Sequence, residues 1–360
     1  MSEPLVEVEH LKLHFPIKEG ILIDRTVARV HAVDDVTFEI SEGETLGLVG
    51  ESGCGKTTLA RVLMRLLEPT DGRIRFRGRD ITTAGRKELK PLRRDLQMVF
   101  QDPFASLNPR KRVSQIIGMP LMLQGVDRSS VEARVGELLR RVGLAPEHAN
   151  RFPHEFSGGQ RQRIGVARAL ALEPRMIVLD EPVSALDVSV QAQIINLLDE
   201  LQDDFGLSYL FVAHDLSVVK HVSDRIAVMY LGKLMEVSPA EELYSKPIHP
   251  YTSALLSAIP IPDPRENRRR ERLVVSGEPP NPIDPPSGCV FHPRCPRATE
   301  VCTKVEPPLA LYPNGHLAAC HHPMNVGDDE LAGVERSPAS PVSAGDELPP
   351  VVERAPTGTP

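Results

Sequence analysis

Glu44-Thr-Leu-Gly-Leu-Val49 runs directly into Gly50-Glu-Ser-Gly-Cys-Gly-Lys-Thr-Thr58, and this junction decides the fold. The first six residues read as a short apolar strand. Thr57 to Leu67 reads as a helix, with Leu59, Ala60, Val62, Leu63, Leu66 and Leu67 on one broad apolar face. Between them, Gly50 to Thr57 fits G-x-x-x-x-G-K-[ST], and a strand before and a helix after are the context that this pattern requires. The glycines let backbone N–H groups close around phosphate oxygens, and the helix N-terminus adds its positive end. The expected cradle is Gly50, Glu51, Ser52, Gly53, Cys54, Gly55, Lys56, Thr57 and Thr58. Lys56 is expected to reach the β- and γ-phosphates and the Thr57 hydroxyl to ligate Mg²⁺. Cys54 fills a free position of the pattern and reads as a small packing residue rather than a reactive thiol.

Working outward, residues 5–15 alternate apolar and polar as a half-buried strand does. A polar insertion follows, and a second strand pattern covers His31 to Ile40. From about Asp102 to Asn150 the texture is amphipathic helix, clearest over Val131 to Val142. Strands return at Met176–Asp180 and Tyr209–His214, each after a helical stretch. That alternation predicts an α/β layered core carrying an inserted helical subdomain. Residues 259–323 are rich in Pro, Gly and Cys with few periodic segments, a composition expected to need a staple. From about Asn325 to Pro360, the Pro-, Ser-, Ala- and acid-rich composition reads as a disordered tail. No internal repeat is visible.

Composition excludes several classes. The formal net charge of -7 offers no global basic field for nucleic acid. No stretch approaches the roughly 18 apolar residues needed to span a bilayer, and the N-terminus lacks a signal-peptide pattern. The chain is therefore expected in the cytoplasm, with any membrane role exercised through a partner.

Two further segments carry chemistry. Met176-Ile-Val-Leu-Asp180-Glu181 is a buried-strand pattern ending in two acids. Asp180 suits Mg²⁺ ligation, and Glu181 can activate or orient an attacking water. Phe156-Ser157-Gly158-Gly159-Gln160-Arg161-Gln162-Arg163 precedes a helix expected over Ile164–Leu172. Ser157 is a plausible cap there, and the turn makes a second anion-binding N-terminus. Two anion cradles in one chain suggest that they meet across a dimer around one nucleotide.

Taken together these motifs resemble, in family order over roughly residues 5–240, the ATP-binding subunit of an ABC transporter. The resemblance implies an α/β fold: a phosphate-loop NTPase core of ABC type with an antiparallel β part and a helical subdomain at about 102–165. Phe15 matches the aromatic that stacks on adenine; the insertion after it leaves His31 as an alternative. Gln101, in Val99-Phe-Gln-Asp-Pro103, matches the glutamine that senses Mg²⁺ and the membrane partner. Ser157 to Gln160 matches the family signature, with Phe156 where Leu is commoner. Ser184-Ala-Leu-Asp187 matches the loop that crosses the dimer, and His214 in Val212-Ala-His-Asp215 matches the switch histidine near the γ-phosphate. The implied cofactors are ATP and Mg²⁺. In the implied mechanism two such domains close head-to-tail over two ATP molecules, with Glu181 and His214 as the catalytic pair.

The C-terminal part narrows the resemblance. Lys246-Pro-Ile-His-Pro-Tyr-Thr-Ser-Ala-Leu-Leu256, Gly277-Glu-Pro-Pro-Asn-Pro-Ile-Asp-Pro-Pro-Ser-Gly-Cys289 and Gln101-Asp-Pro-Phe-Ala-Ser-Leu-Asn-Pro109 resemble the dipeptide/oligopeptide importer ATPases, a group that includes nickel uptake systems. This implies an extension over about 241–324 and short peptides as cargo. It also implies a second ABC ATPase subunit in a heterodimer, two transmembrane permease subunits and an extracytoplasmic solute-binding protein, at the cytoplasmic face of the membrane. Nickel or another small solute is the alternative cargo. An ABC ATPase without a transport role is the rival reading; the chain lacks the coiled-coil insertion or second cassette typical of such proteins.

Cys289, Cys295, Cys302 and Cys320 have five, six and seventeen residues between them. Four thiolates can hold Zn²⁺ or an iron–sulfur cluster, and these spacings lack the tight CxxC knuckles usual for zinc. The resemblance to the importer subfamily implies a [4Fe–4S] cluster, with Zn²⁺ as the alternative and unliganded buried thiols as the plain one.

Overall fold

In the computed structural model, residues 3–19, 25–102, 106–259, 275, 277–312 and 315–327 are described. Pro103 to Ala105, most of the 260–276 stretch and the expected tail from position 328 onward lie outside them.

Strands β1 (Val6–Glu19) and β2 (Arg25–Ile40) form an antiparallel hairpin, so the polar insertion after Phe15 prolongs both strands rather than interrupting them. β3 (Thr45–Val49) then enters α1 (Lys56–Leu63) through the glycine-rich loop. β4 (Asp71–Phe76) and β5 (Arg79–Asp80) complete an antiparallel sheet of order β2-β1-β4-β5. Next come α2 (Arg86–Asp95) and β6 (Leu96–Val99). The helical insertion holds α3 (Val113–Leu123), α4 (Arg128–Arg141) and α5 (Gly158–Leu170). β7 (Met176–Asp180), α6 (Val188–Phe205), β8 (Ser208–Val212), α7 (Leu216–Val222), β9 (Arg225–Tyr230) and β10 (Lys233–Pro239) follow. Beyond them lie α8 (Ala240–Ser245), α9 (Pro250–Ala258), α10 (Glu300–Lys304), β11 (Ala310–Tyr312) and β12 (His316–Ala318). The second sheet runs β11-β12-β10-β9-β3-β8-β7-β6. Its β9-β3-β8-β7-β6 part is parallel and the rest antiparallel. Among the described residues, no helix is long and apolar enough to cross a membrane.

The parallel strands are buried on both faces, which is why they read as continuous apolar runs. Side chains still alternate with period two, and each set finds a different core. Leu46, Leu48, Met176, Val178, Leu210 and Val212 face the antiparallel sheet, α1 and α2. Val49, Ile177, Leu179, Tyr209 and Phe211 face the inserted helices and α6.

Three expectations need adjusting. α1 ends at Leu63, a turn before the expected Leu67, because Arg65 turns left-handed at φ +50° and Leu66 is left exposed. α5 starts at Gly158 rather than Ile164, since Ser157 and Gln160 form a reciprocal capping box. The Cys- and Pro-rich extension, expected to need a staple, is tied to the main sheet by its own strand and buried polar contacts. Its β12 adds to the main sheet against β10, and fully buried Glu236 accepts from the N–H groups of Ile248 and His249 and meets His316 Nε2 at 2.5 Å. The attachment continues past the expected tail boundary: Asn325 donates to the Pro247 carbonyl, and Val326 packs on Ile248, Tyr312 and Ala318.

Candidate functional site

The glycine-rich loop is confined by its neighbours before any ligand is considered. A Cβ at Gly50 would lie 2.0 Å from the Met229 carbonyl oxygen, and one at Gly55 would lie 2.1 Å from that of Ala32. Only glycine lets the loop pass this close to β9 and β2. Lys56 is 4% exposed, and its ammonium donates to the carbonyls of Gly50 and Glu51 at 2.8 and 2.9 Å. Its charge is therefore held against the loop. Cys54 is buried beside it; burial pushes the thiol up against the pull of the Lys56 ammonium, as suits a packing residue.

Side chains from four strand ends converge beyond the loop. The Thr57 hydroxyl donates to Asp180 Oδ1 at 2.8 Å, joining the start of α1 to the end of β7. Burial raises the Asp180 pKa, opposed by the Thr57 hydrogen bond and the Arg61 charge, so a bound cation would relieve a desolvated carboxylate. The next residue, Glu181, adopts φ +46°, and its N–H donates to the Val212 carbonyl. This left-handed turn sends its carboxylate towards Gln101, which follows β6, and His214, which follows β8. Gln101 Nε2 donates to Glu181 Oε2 at 2.8 Å, and His214 Nδ1 is 3.4 Å from the same oxygen.

A cavity of about 390 Å³ opens over this array. Phe15, His31, Ser52, Gly53, Gly55, Lys56, Thr57, Thr58, Gln101 and Glu181 line it. Asp180 and His214 do not border it; they reach it through their contacts with the Thr57 hydroxyl and the Glu181 carboxylate. Phe15 and His31 lie on neighbouring strands, and both rings border the same end. Burial and the neighbouring His14 lower the His31 pKa, which favours the neutral ring. Ser157, Gly158, Gly159, Gln160 and Asp187 do not border the cavity. Ser157 caps α5, and Asp187 occupies the N-cap position of α6.

Sequence reading missed several participants. Leu231, Gly232 and Pro282 also border the cavity, and Pro282 accepts the His31 N–H at 2.9 Å. His14, Asp34 and His31 gather close by, where Lys233 pairs with Asp34 at 3.0 Å. Glu51 is held by Arg294 and Tyr251, far along the chain. An acid within a phosphate-binding pattern was the available signal for a missing cation. Nothing in the sequence said which one.

The second centre is in the extension. Cys289, Cys295, Cys302 and Cys320 line one small cavity together with His249, His292, His321 and His322. Burial pushes Cys289 up to about 11 and Cys320 up to about 12, and it also raises Cys295. Among the described residues, three donors within 4.8 Å of one another occur only at His14, His31 and Asp34, so no three of these sulfurs are that close. A single zinc ion with bonds of about 2.3 Å needs sulfurs about 3.8 Å apart.

The ABC transporter family model matches residues 33–184, and the model described as oligopeptide/dipeptide transporter, C-terminal region matches 235–302. The oligopeptide transport ATP-binding protein AppF of Bacillus subtilis is 54% identical over 322 residues, covering 89% of this chain and 98% of that protein. OppF of Haemophilus influenzae, also named an oligopeptide transport ATP-binding protein, is 51% identical over 89% of this chain and 97% of its own length. Among solved structures, the dimeric post-hydrolysis ATP-binding cassette MJ0796 with ADP and Pi superposes with a TM-score of 0.58. It is 28% identical and covers 65% of this chain and 98% of that one.

Proposed function

This chain belongs to the ABC transporter family of ATP-hydrolysing subunits, and from that premise we propose that it is the motor of an importer for dipeptides and oligopeptides. One observation carries the proposal: the chain combines half of a composite ATP site with an extension of the oligopeptide/dipeptide transporter type built into the same sheet. Lys56 and the loop N–H groups hold the phosphates, while Thr57 and Asp180 hold Mg²⁺. Glu181 orients and deprotonates the attacking water. His214 and Gln101, both on the Glu181 carboxylate, report the γ-phosphate's presence. Phosphoryl transfer asks the protein for position and charge compensation, and this array supplies both. Phe15, with His31 beside it, stacks on the base.

The missing half comes from a second ABC ATPase subunit whose Ser-Gly-Gly-Gln loop faces this cavity, as Ser157 to Gln160 face the partner's. A heterodimer suits this arrangement. Closure moves the helical insertion, and Gln101 passes the motion to two transmembrane permease subunits, which receive cargo from an extracytoplasmic solute-binding protein. The chain thus works at the cytoplasmic face of the membrane.

The four cysteines hold a [4Fe–4S] cluster. The cavity that the four cysteines share supports a metal centre there, and the resemblance to the importer subfamily favours the cluster over Zn²⁺. Bound there, the cluster would supply cross-linking of the extension; the chain's own part is to deliver four thiols, with Cys289 and Cys302 buried and Cys295 and Cys320 partly buried. Anaerobic purification with iron and sulfide analysis tests it, and zinc in place of iron would refute it. Reconstitution with permease partners in vesicles, comparing di- and oligopeptides with Ni²⁺, tests the cargo. ATP-dependent Ni²⁺ uptake without peptide uptake would overturn the peptide reading.

A further inference from the structure

Glu51 is the one acid of the loop Gly50–Thr57, and alone it would set a negative charge beside a polyphosphate. It is not alone. Arg294 reaches in from the extension and takes both carboxylate oxygens, Nη1 to Oε2 at 2.9 Å and Nη2 to Oε1 at 3.1 Å. The same Nη1 donates to the Tyr230 hydroxyl at 3.2 Å, and the guanidinium lies over the Tyr230 ring. The arginine side chain is 9% exposed, so its position is set by packing. On the other side of Glu51, its N–H donates to the Tyr251 hydroxyl at 3.0 Å, and its carbonyl holds the Lys56 ammonium. Tyr230, Tyr251 and Phe291 pack as one aromatic cluster beneath these contacts. Arg294 ends the short turn His292–Arg294, which Cys289 and Cys295 bracket. Whatever holds those two cysteines therefore also fixes the arginine.

We propose that Arg294 is a positioning residue for nucleotide binding: it neutralises and orients Glu51, and so makes the loop's affinity for ATP depend on the C-terminal extension. A bidentate Arg–carboxylate pair fixes direction as well as charge, which a single lysine contact does not. With Arg294 removed, the Glu51 carboxylate is free to turn towards the phosphates and repel them. The inference rests on Gly50–Thr57 being the phosphate site, and the experiment separates the two.

Equilibrium binding of a fluorescent ATP analogue with Mg²⁺ to the full-length chain is the measurement. Arg294→Met is expected to weaken binding about tenfold, the scale of one lost charge-assisted pair, and Arg294→Lys by less. The deficit shrinks between about 0.05 M and about 0.5 M salt, because screening weakens the exposed repulsion. In the assembled ATPase, KM rises while kcat changes less than about threefold. Glu51→Gln combined with Arg294→Met is the deciding variant. Removing both charges recovers most of the affinity if neutralisation is the role, whereas a merely structural arginine leaves the double variant at least as weak as the single. Unchanged binding in Arg294→Met, or a double variant no better than it, overturns the proposal. Lys56→Ala then tells which premise failed: binding lost there but kept in Arg294→Met leaves the loop as the phosphate site and removes only Arg294.

Discussion

Replacing Glu181 by glutamine isolates its proton chemistry from its shape. The side chain keeps its volume, and the left-handed backbone at φ +46° asks nothing of the glutamine that the glutamate did not already meet. The neighbours also adapt. Gln101 Nε2, now 2.8 Å from a carboxylate oxygen, finds the new amide oxygen in the same place, and the amide nitrogen turns towards solvent or the nucleotide. What is lost is a group able to accept a proton from water. That contribution is worth about 10²- to 10⁴-fold, or about 3–5 kcal/mol of barrier. Removing one negative charge next to a polyphosphate does not weaken ATP binding. Single-turnover hydrolysis in the assembled transporter, paired with equilibrium ATP binding, reads both quantities. Turnover within tenfold of the parent enzyme would show that water activation does not pass through Glu181. Lost binding with lost turnover would show that the carboxylate is structural.

Gly50→Ala sets a methyl group against the Met229 carbonyl at 2.0 Å, so the loop must move; ATP binding is expected to vanish and thermal unfolding to come several degrees earlier. Ser157→Ala costs about 1 kcal/mol of capping, leaves ATP binding to the isolated chain within about twofold, and lowers hydrolysis in the assembled dimer far more than that. Equal losses in both assays would place Ser157 at its own chain's nucleotide. His249 is wholly buried and accepts the Tyr251 N–H, and burial lowers its pKa to about 4 despite the Glu236 charge. An unfolded histidine titrates near 6.5, so the unfolded chain binds more protons between those values. The stability from neutral His249 is complete above about pH 6.5 and is lost as pH falls to about 4, roughly 3 kcal/mol in all. Urea unfolding of His249→Asn, which keeps a cap acceptor, should show that much less acid sensitivity than the parent chain.

Local pattern carried most of the fold. The strand at Met176–Asp180, the loop-to-helix junction after Val49 and the helical insertion are all visible because their periodicity or glycine spacing is a local property. Boundaries moved where a local competitor acted, as when the Ser157–Gln160 capping box started α5 six residues before its apolar face begins. The extension was read least well. Its stability comes from contacts across large sequence separations: Glu236 with His316, β10 with β12, and Tyr230 with Phe291. None of these leaves a periodic trace. The same holds for Arg294, which is 243 positions from the carboxylate it grips.

The placement of the Ser157–Gln160 loop is what favours the proposed two-chain site. Ser157 and Gln160 spend their side chains on each other's backbone N–H groups, so the cap is satisfied internally. The first N–H groups of α5, at Gly158 and Gly159, have no carbonyl within their own helix by geometry. A Cβ on Gly159 would sit 2.4 Å from Val190 Cγ1 on α6, and one on Gly158 would meet Leu186 at 3.2 Å. The glycines thus let α5 seat its N-terminus against the Ser184–Asp187 loop and the start of α6. That loop begins three residues after Glu181, so α5 and the acid proposed to activate water share one short connection, while α5 lines no part of this chain's cavity. The first N–H groups of α5 thus lie apart from this chain's cavity, which favours the proposed role at a partner's nucleotide. Under the proposed two-chain arrangement, cooperation between two sites needs no long pathway: a shift of the Ser184–Asp187 loop in one chain would alter its own Glu181 and the loop it offers the partner together.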